Sequence, residues 1–169
     1  MFEMCMDDQT TSELETREEQ LEHEAASQLG HMIFEFSRLD MNRGLCLVWV
    51  DGGAALQSLT KSVEDLNLMG RLALLESHVK AKLPDGSKKR NAYEAWIQRT
   101  HAIRQQRNNL IHGRWGVEAY INKVVNIVGL PTSDKQQVTR YGIDELVAVN
   151  NELRALQLEL GRLRDHWPL

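Results

Sequence analysis

Cysteine and proline are scarce in this 169-residue chain, with two and three copies. Two cysteines, Cys5 and Cys46, cannot build the spaced, even-numbered framework of a small secreted domain, so a reducing cytosol is the expected compartment. With so little proline to interrupt them, runs of Leu, Ala, Glu, Arg and Gln favour helix. Long apolar stretches are also missing. The longest covers residues 45–50, whereas about 20 residues are needed to span a bilayer. The opening Met1-Phe2-Glu3-Met4-Cys5-Met6-Asp7-Asp8 lacks the basic region and apolar stretch of a secretory signal. There is no CxxC pair, phosphate-binding glycine loop or dinucleotide fingerprint. His23-Glu24-Ala25-Ala26-Ser27 starts like a zinc-binding helix and fails where the second histidine should stand. No metal and no cofactor are therefore expected. Internal repeats and low-complexity linkers are absent as well, which suits one domain.

Charge is present but unevenly spread. The chain carries a net −4. Residues 78–123 hold ten Lys/Arg against three Asp/Glu, whereas residues 1–24 hold nine acids and one arginine. A basic stretch of this kind suits a polyanion such as RNA, or equally a solvated basic helix facing acidic neighbours.

Hydrophobic spacing organises the rest. Residues 1–18 are expected to form a mobile acidic lead, and residues 19–169 a single helical domain. Leu21, Ala25, Leu29, Met32, Ile33, Phe36 and Leu39 recur at three and four, the mark of an amphipathic helix. This helix should continue through Leu45 and Trp49 to the turn Asp51-Gly52-Gly53, loosened at Gly44. Ser62-Val63-Glu64-Asp65 resembles a capping box opening a second helix, whose apolar set is Leu66, Met69, Leu72, Ala73, Leu75 and Val79. After Pro84-Asp85-Gly86 a third helix should run from about Lys88 to His112, with Gly113 in the position that ends a helix. Residues 123–128 are dense in β-branched side chains and, with residues 136–141, predict a small β-hairpin. Leu146, Val149, Leu153, Leu156, Leu160, Leu163 and Trp167 form a narrow seam on the last helix. The expected fold is all-α: an antiparallel up-and-down bundle of four main helices with a β-hairpin inserted before the last.

The residues that could carry chemistry lie at the end of the third helix, in Arg107-Asn108-Asn109-Leu110-Ile111-His112-Gly113. Arg107 stands four after Ile103 and three before Leu110, so it projects from the apolar face of its own helix. Either a carboxylate such as Glu35 or Asp40 meets it, or this face opens at an interface. Asn108 and His112 are four apart and share a face. An imidazole titrates near neutrality and a guanidinium binds phosphate oxygens in pairs. Metal-free RNA cleavage uses those two groups: a base for the 2′-hydroxyl and a fixed cation for the charge growing on phosphorus. Arg104, one turn before Asn108, and Arg114, just after the motif, could hold the RNA backbone. Trp115 and Tyr120 could stack on bases or lie under the hairpin. The bland reading of the same residues is a dipole-favoured histidine in a last turn followed by a helix-ending glycine.

Arg107-x4-His112 with an asparagine after the arginine, late in the third helix of an all-α chain, resembles the motif of HEPN domains. The resemblance extends over roughly residues 19–167. It implies a metal-independent endoribonuclease of the toxin, phage-defence or RNA-processing type. The implied site is composite, formed where Arg107 and His112 meet their counterparts across a homodimer interface, with Asn108 as the polar neighbour. Other members of that family are non-catalytic interaction modules, and some are paired with an antitoxin or accessory protein. Some toxins of the family carry a tyrosine two residues after the histidine, which an antitoxin modifies; Arg114 stands there in this chain.

Overall fold

The computed structural model describes residues 4–169, with side chains from Thr10 onward. Among the described residues there are five α-helices and a three-stranded antiparallel sheet that precedes the last helix. No helix of the described residues is long and apolar enough to cross a membrane. The chain groups into two compact units. The first comprises the residues up to Ile33 with Gln105–Asn151, the second Phe34–Arg104 with Glu152–Leu169. The unit boundaries fall inside three helices.

Helix α1 spans Met4–Val48, so residues 4–18, read from sequence as a mobile lead, are helical; Met1 to Glu3 lie outside the described residues. Gly44 does not interrupt it. A methyl group there would meet the Arg71 guanidinium at 3.6 Å, an ordinary packing distance. The helix gives way to a turn at Asp51. Its carboxylate accepts from the amides of Gly53 and Ala55 at 3.1 and 2.9 Å, and Gly52 and Gly53 adopt φ of +71° and +91°.

The expected second helix is two helices, α2 (Leu56–Glu64) and α3 (Leu68–Lys82). Ser62 is not a cap: it lies inside α2 and its hydroxyl donates to the carbonyl of Ser58. The helix start is set instead by Asn67, whose side-chain oxygen accepts from the Gly70 amide at 2.9 Å. Helix α4 runs from Lys88 to His112, opening where Ser87 Oγ accepts from the Arg90 amide at 3.2 Å.

In the second unit the core gathers Leu39, Leu47, Leu72, Leu75, Val79, Tyr93, Trp96, Leu153, Leu156 and Leu160. The Trp96 indole N–H donates to the Leu156 carbonyl at 2.8 Å, which satisfies the one polar group of a fully buried ring. Two residues of the predicted apolar faces are instead exposed, Ile33 at 54% and Met69 at 42%, as are Leu45 and Trp49 further along. The line that buries on α1 is Leu21, Ala25, Met32, Glu35, Leu39, Arg43 and Leu47. Two charged residues sit on it because each is neutralised. Glu35 meets Arg38 and Arg154 at 3.0 and 3.1 Å and accepts from Gln157 at 2.9 Å. Burial opposes its ionisation, but the Gln157 and Arg154 hydrogen bonds and the arginine charges outweigh burial and hold the carboxyl below its ordinary 4.5. A depressed carboxylate adds stability that is present above its unfolded value and is lost as pH falls through the folded one. Unfolding followed from pH 7 downward should therefore show stability dropping below about pH 4.5, with a smaller drop in Glu35→Gln. An identical drop in that variant would contradict the assignment.

In the first unit the sheet has the order β1-β2-β3, formed by Arg114–Glu118, Lys123–Val128 and Gln137–Tyr141. The predicted hairpin is its β2–β3 half, and β1 is the strand the sequence concealed. Register pairs Trp115 with Asn126 and Val117 with Val124. A 3-10 turn, Ala119–Ile121, links β1 to β2 and ends at Asn122 in the left-handed conformation, φ 56°. The Asn122 side chain accepts from Arg17 Nε of α1 at 2.7 Å. Helix α5, Ile143–His166, buries its predicted seam, Leu146 and Val149 in this unit and Leu153, Leu156, Leu160 and Leu163 in the other.

Gly113 is not held by a left-handed backbone, since its φ is not among the positive ones. Its requirement is steric: a Cβ there would lie 2.1 Å from the Asn126 carboxamide, which is buried at 2% exposure. Gly113→Ala should cost about 1–3 kcal/mol of stability, read by thermal unfolding, with part recovered on adding Asn126→Ala. A melting point equal to that of the wild type would contradict this role.

Candidate functional site at the end of helix α4

The α4 terminus and the start of β1 place Arg107, Asn108, His112 and Arg114 on one continuous piece of the first unit. Arg107 and Asn108 are half-buried, and His112 and Arg114 are exposed. Arg107 Nη1 donates to Asn108 Oδ1 at 3.1 Å, so the guanidinium and the carboxamide act as a linked pair. One turn on, His112 is the last helical residue. The imidazole is thus open to solvent on the same helical face as the Asn108 that Arg107 holds.

The neighbourhood is rigid for identifiable reasons. Just past His112 the chain enters β1, where the Trp115 indole N–H donates back to the carbonyl of Leu110 at 2.9 Å. The Trp115 ring also meets Tyr141 with centroids 5.8 Å apart and planes at 41°. With its oxygen toward the indole, Asn126 accepts from Trp115 at 3.2 Å and donates to the Asn109 carbonyl at 3.3 Å. The open carbonyls at the end of α4 are therefore met by side chains of the sheet. Trp115 is a structural wall; Tyr120, by contrast, is 75% exposed.

The other residues named from sequence divide. Arg104 lies on α4 as the last residue there of the second unit, and its Nε is buried without a hydrogen-bond partner. It stands one helical turn before Asn108 on the same helix. The carboxylates considered for Arg107 carry other cations: Glu35 holds Arg38 and Arg154, and Asp40 holds Arg43 and Arg71. Much of the basic excess of residues 78–123 is neutralised locally. Lys80 pairs with Glu76, Arg90 with Glu94 and Asp85, Arg99 with Glu152 and Glu159, and Lys123 with Glu145. The broad basic surface suggested by composition therefore narrows, in the first unit, to the tail of α4 and Arg114. Among the described residues no group of three or more His, Cys, Asp or Glu is placed to hold a metal ion.

Comparison with known proteins leaves the site to be judged on its geometry: no family model, no curated protein and no solved structure matches the chain.

Proposed function

We propose that this chain is a HEPN-like, metal-independent endoribonuclease of the toxin, phage-defence or RNA-processing kind, working in the cytoplasm as a homodimer. On this reading its long helices form the up-and-down bundle of that family, with α2 and α3 together standing for one of the four main helices. The observation that carries the reading is the open imidazole of His112 one turn beyond an Asn108 that is gripped by Arg107.

The chemistry follows from those groups. His112 takes the proton from a ribose 2′-hydroxyl, and the 2′-oxygen attacks the adjacent phosphorus. Arg107 stabilises the negative charge on the non-bridging oxygens. The bond to the 5′-oxygen breaks, and the leaving oxygen takes a proton from the His112 imidazolium of the partner subunit. The products are a 2′,3′-cyclic phosphate and a 5′-hydroxyl, with no net gain or loss of protons by the enzyme. Asn108 orients Arg107, and Arg114 holds the flanking backbone.

Because one protomer supplies the base and the other the acid, cleavage requires a dimer. Light scattering during size-exclusion chromatography should give twice the chain mass, with RNA cleavage confined to the dimer fraction. An active monomer would contradict the composite site.

A non-catalytic interaction module is the second reading, and a separate feature favours it. On α1, Phe34, Met41 and Leu45 are 66%, 65% and 46% exposed. Spaced seven and four apart, they make an apolar stripe of the sort that seats a partner helix, such as that of an antitoxin or accessory protein. Absence of cleavage by a well-folded dimer would favour this reading.

A further inference from the structure

A cleft in the first unit opens between α1 and the face of β1 and β2, with a volume of about 270 Å³. One side is α1, where Glu18 and Glu22 stand one turn apart above Ala25 and Leu29; the other carries Trp115 and Val117. Three properties of this cleft restrict what it can hold. Its size sits just under the range of about 300–1,000 Å³ typical of small-molecule sites, which leaves room for a side-chain-sized group. Its rim is anionic: among the described residues neither Glu18 nor Glu22 forms an ion pair. The nearest cation in sequence, Arg17, is directed to the side-chain oxygens of Asn122 and Gln20 rather than to either glutamate. Its wall is aromatic, and the Trp115 N–H is already committed to the Leu110 carbonyl, so the ring offers its π surface and edge rather than its donor.

We propose that this cleft binds a small organic cation, an alkylguanidinium or alkylammonium head on an apolar stem. The stem would lie on Ala25, Leu29 and Val117, and the head would sit between the two carboxylates and the Trp115 ring. Carboxylates one helical turn apart are spaced about 5–6 Å between Cβ atoms, close enough for one head group to meet both. The face of an indole adds attraction for a cation. The same features reject RNA, because paired carboxylates repel phosphate. Successive strand residues face opposite sides, so Trp115 faces this cleft while Arg114 points to the other side of β1. The cleft thus shares Trp115 with the α4 terminus but not Arg107, Asn108, His112 or Arg114, and its occupancy does not depend on the ribonuclease reading. The cation could be a free amine or an arginine or lysine side chain presented by a partner polypeptide.

The test follows the Trp115 indole N–H resonance by NMR, assigned with Trp115→Phe, during titration of the full chain. The probes are n-butylguanidinium, its neutral analogue N-butylurea, and the capped peptide acetyl-Ala-Arg-Ala-amide. We expect saturable binding of butylguanidinium and none of butylurea. In Glu18→Gln/Glu22→Gln, whose exposed substitutions leave the fold intact, binding should weaken roughly tenfold, in line with the loss of two partly exposed charge contacts. Peptide binding tighter than butylguanidinium assigns the site to a partner's side chain; equal binding assigns it to a free cation. Absence of saturable binding, equal binding of butylurea, or an undiminished response in the double variant would overturn the proposal.

Discussion

Replacing His112 by alanine should lower RNA cleavage by about a thousandfold while leaving the fold unchanged. On the proposed mechanism the imidazole is an acid–base catalyst, and loss of such a group costs about 10²–10⁴-fold. The structure separates that loss from a loss of folding. His112 is exposed at the last position of α4, where truncation removes no core contact, so surface-level effects within about 0.5 kcal/mol are expected. Circular dichroism and thermal unfolding should therefore match the wild type. Arg107→Ala should lose cleavage to a comparable degree but tell less, because Arg107 is half-buried and its removal also frees Asn108. Equal cleavage by His112→Ala and wild type would remove the imidazole from the mechanism.

The largest effect on stability is expected at Asp40. Arg43 is fully buried at 0% exposure, and its Nε and Nη1 have no hydrogen-bond partner. Its Nη2 is bonded to Asp40, which also meets Arg71 Nη1 at 3.0 Å. Burial lowers the pKa of Arg43, and Asp40 acts in the opposite direction. One carboxylate thus compensates two guanidiniums, one of them fully buried. Asp40→Ala leaves the Arg43 charge uncompensated, for which about 3–5 kcal/mol is the usual cost. In a domain stabilised by some 5–15 kcal/mol this is a large fraction, and for a chain of this size it corresponds to a melting point lower by roughly 10 °C. Arg43→Met in the Asp40→Ala background should recover most of the loss, because it replaces an unpaired charge with an apolar chain of similar length. A single variant as stable as the wild type, or a double variant no better than the single, would contradict this role for Asp40.

Arg43 also shows where periodicity reads well and where it fails. Spacing located α4 and α5 because their buried faces are mostly apolar, as with Tyr93, Trp96 and Ile97 or Leu153, Leu156 and Leu160. On α1 the buried line includes Glu35 and Arg43, which an apolar spacing pattern does not pick out, while Ile33 and Leu45 face outward. Whether a charge can be buried depends on partners such as Arg154 or Asp40, and those are set by tertiary structure rather than spacing. The break between α2 and α3 was missed for a related reason. Ser62 and Asn67 are both good capping residues, and only the folded backbone shows that the Asn67 oxygen reaches the Gly70 amide. Strand β1 has too little β-branched character in Arg114-Trp115-Gly116-Val117-Glu118 to announce itself, and its form comes from pairing with β2. In the candidate site, the shared helix face of Asn108 and His112 was legible in their spacing. The bond from Arg107 to Asn108 and the bracing by Trp115 and Asn126 were not, because they depend on a rotamer and on a strand absent from the reading.

The most direct measurement takes a defined, end-labelled RNA and incubates it with purified wild-type protein and with His112→Ala, both in excess chelator. The wild type should cut the RNA and leave 2′,3′-cyclic phosphate and 5′-hydroxyl ends, and the variant should leave it whole. Intact RNA with the wild type, or the same fragments from both proteins, would contradict an RNA-cleaving centre at the end of α4.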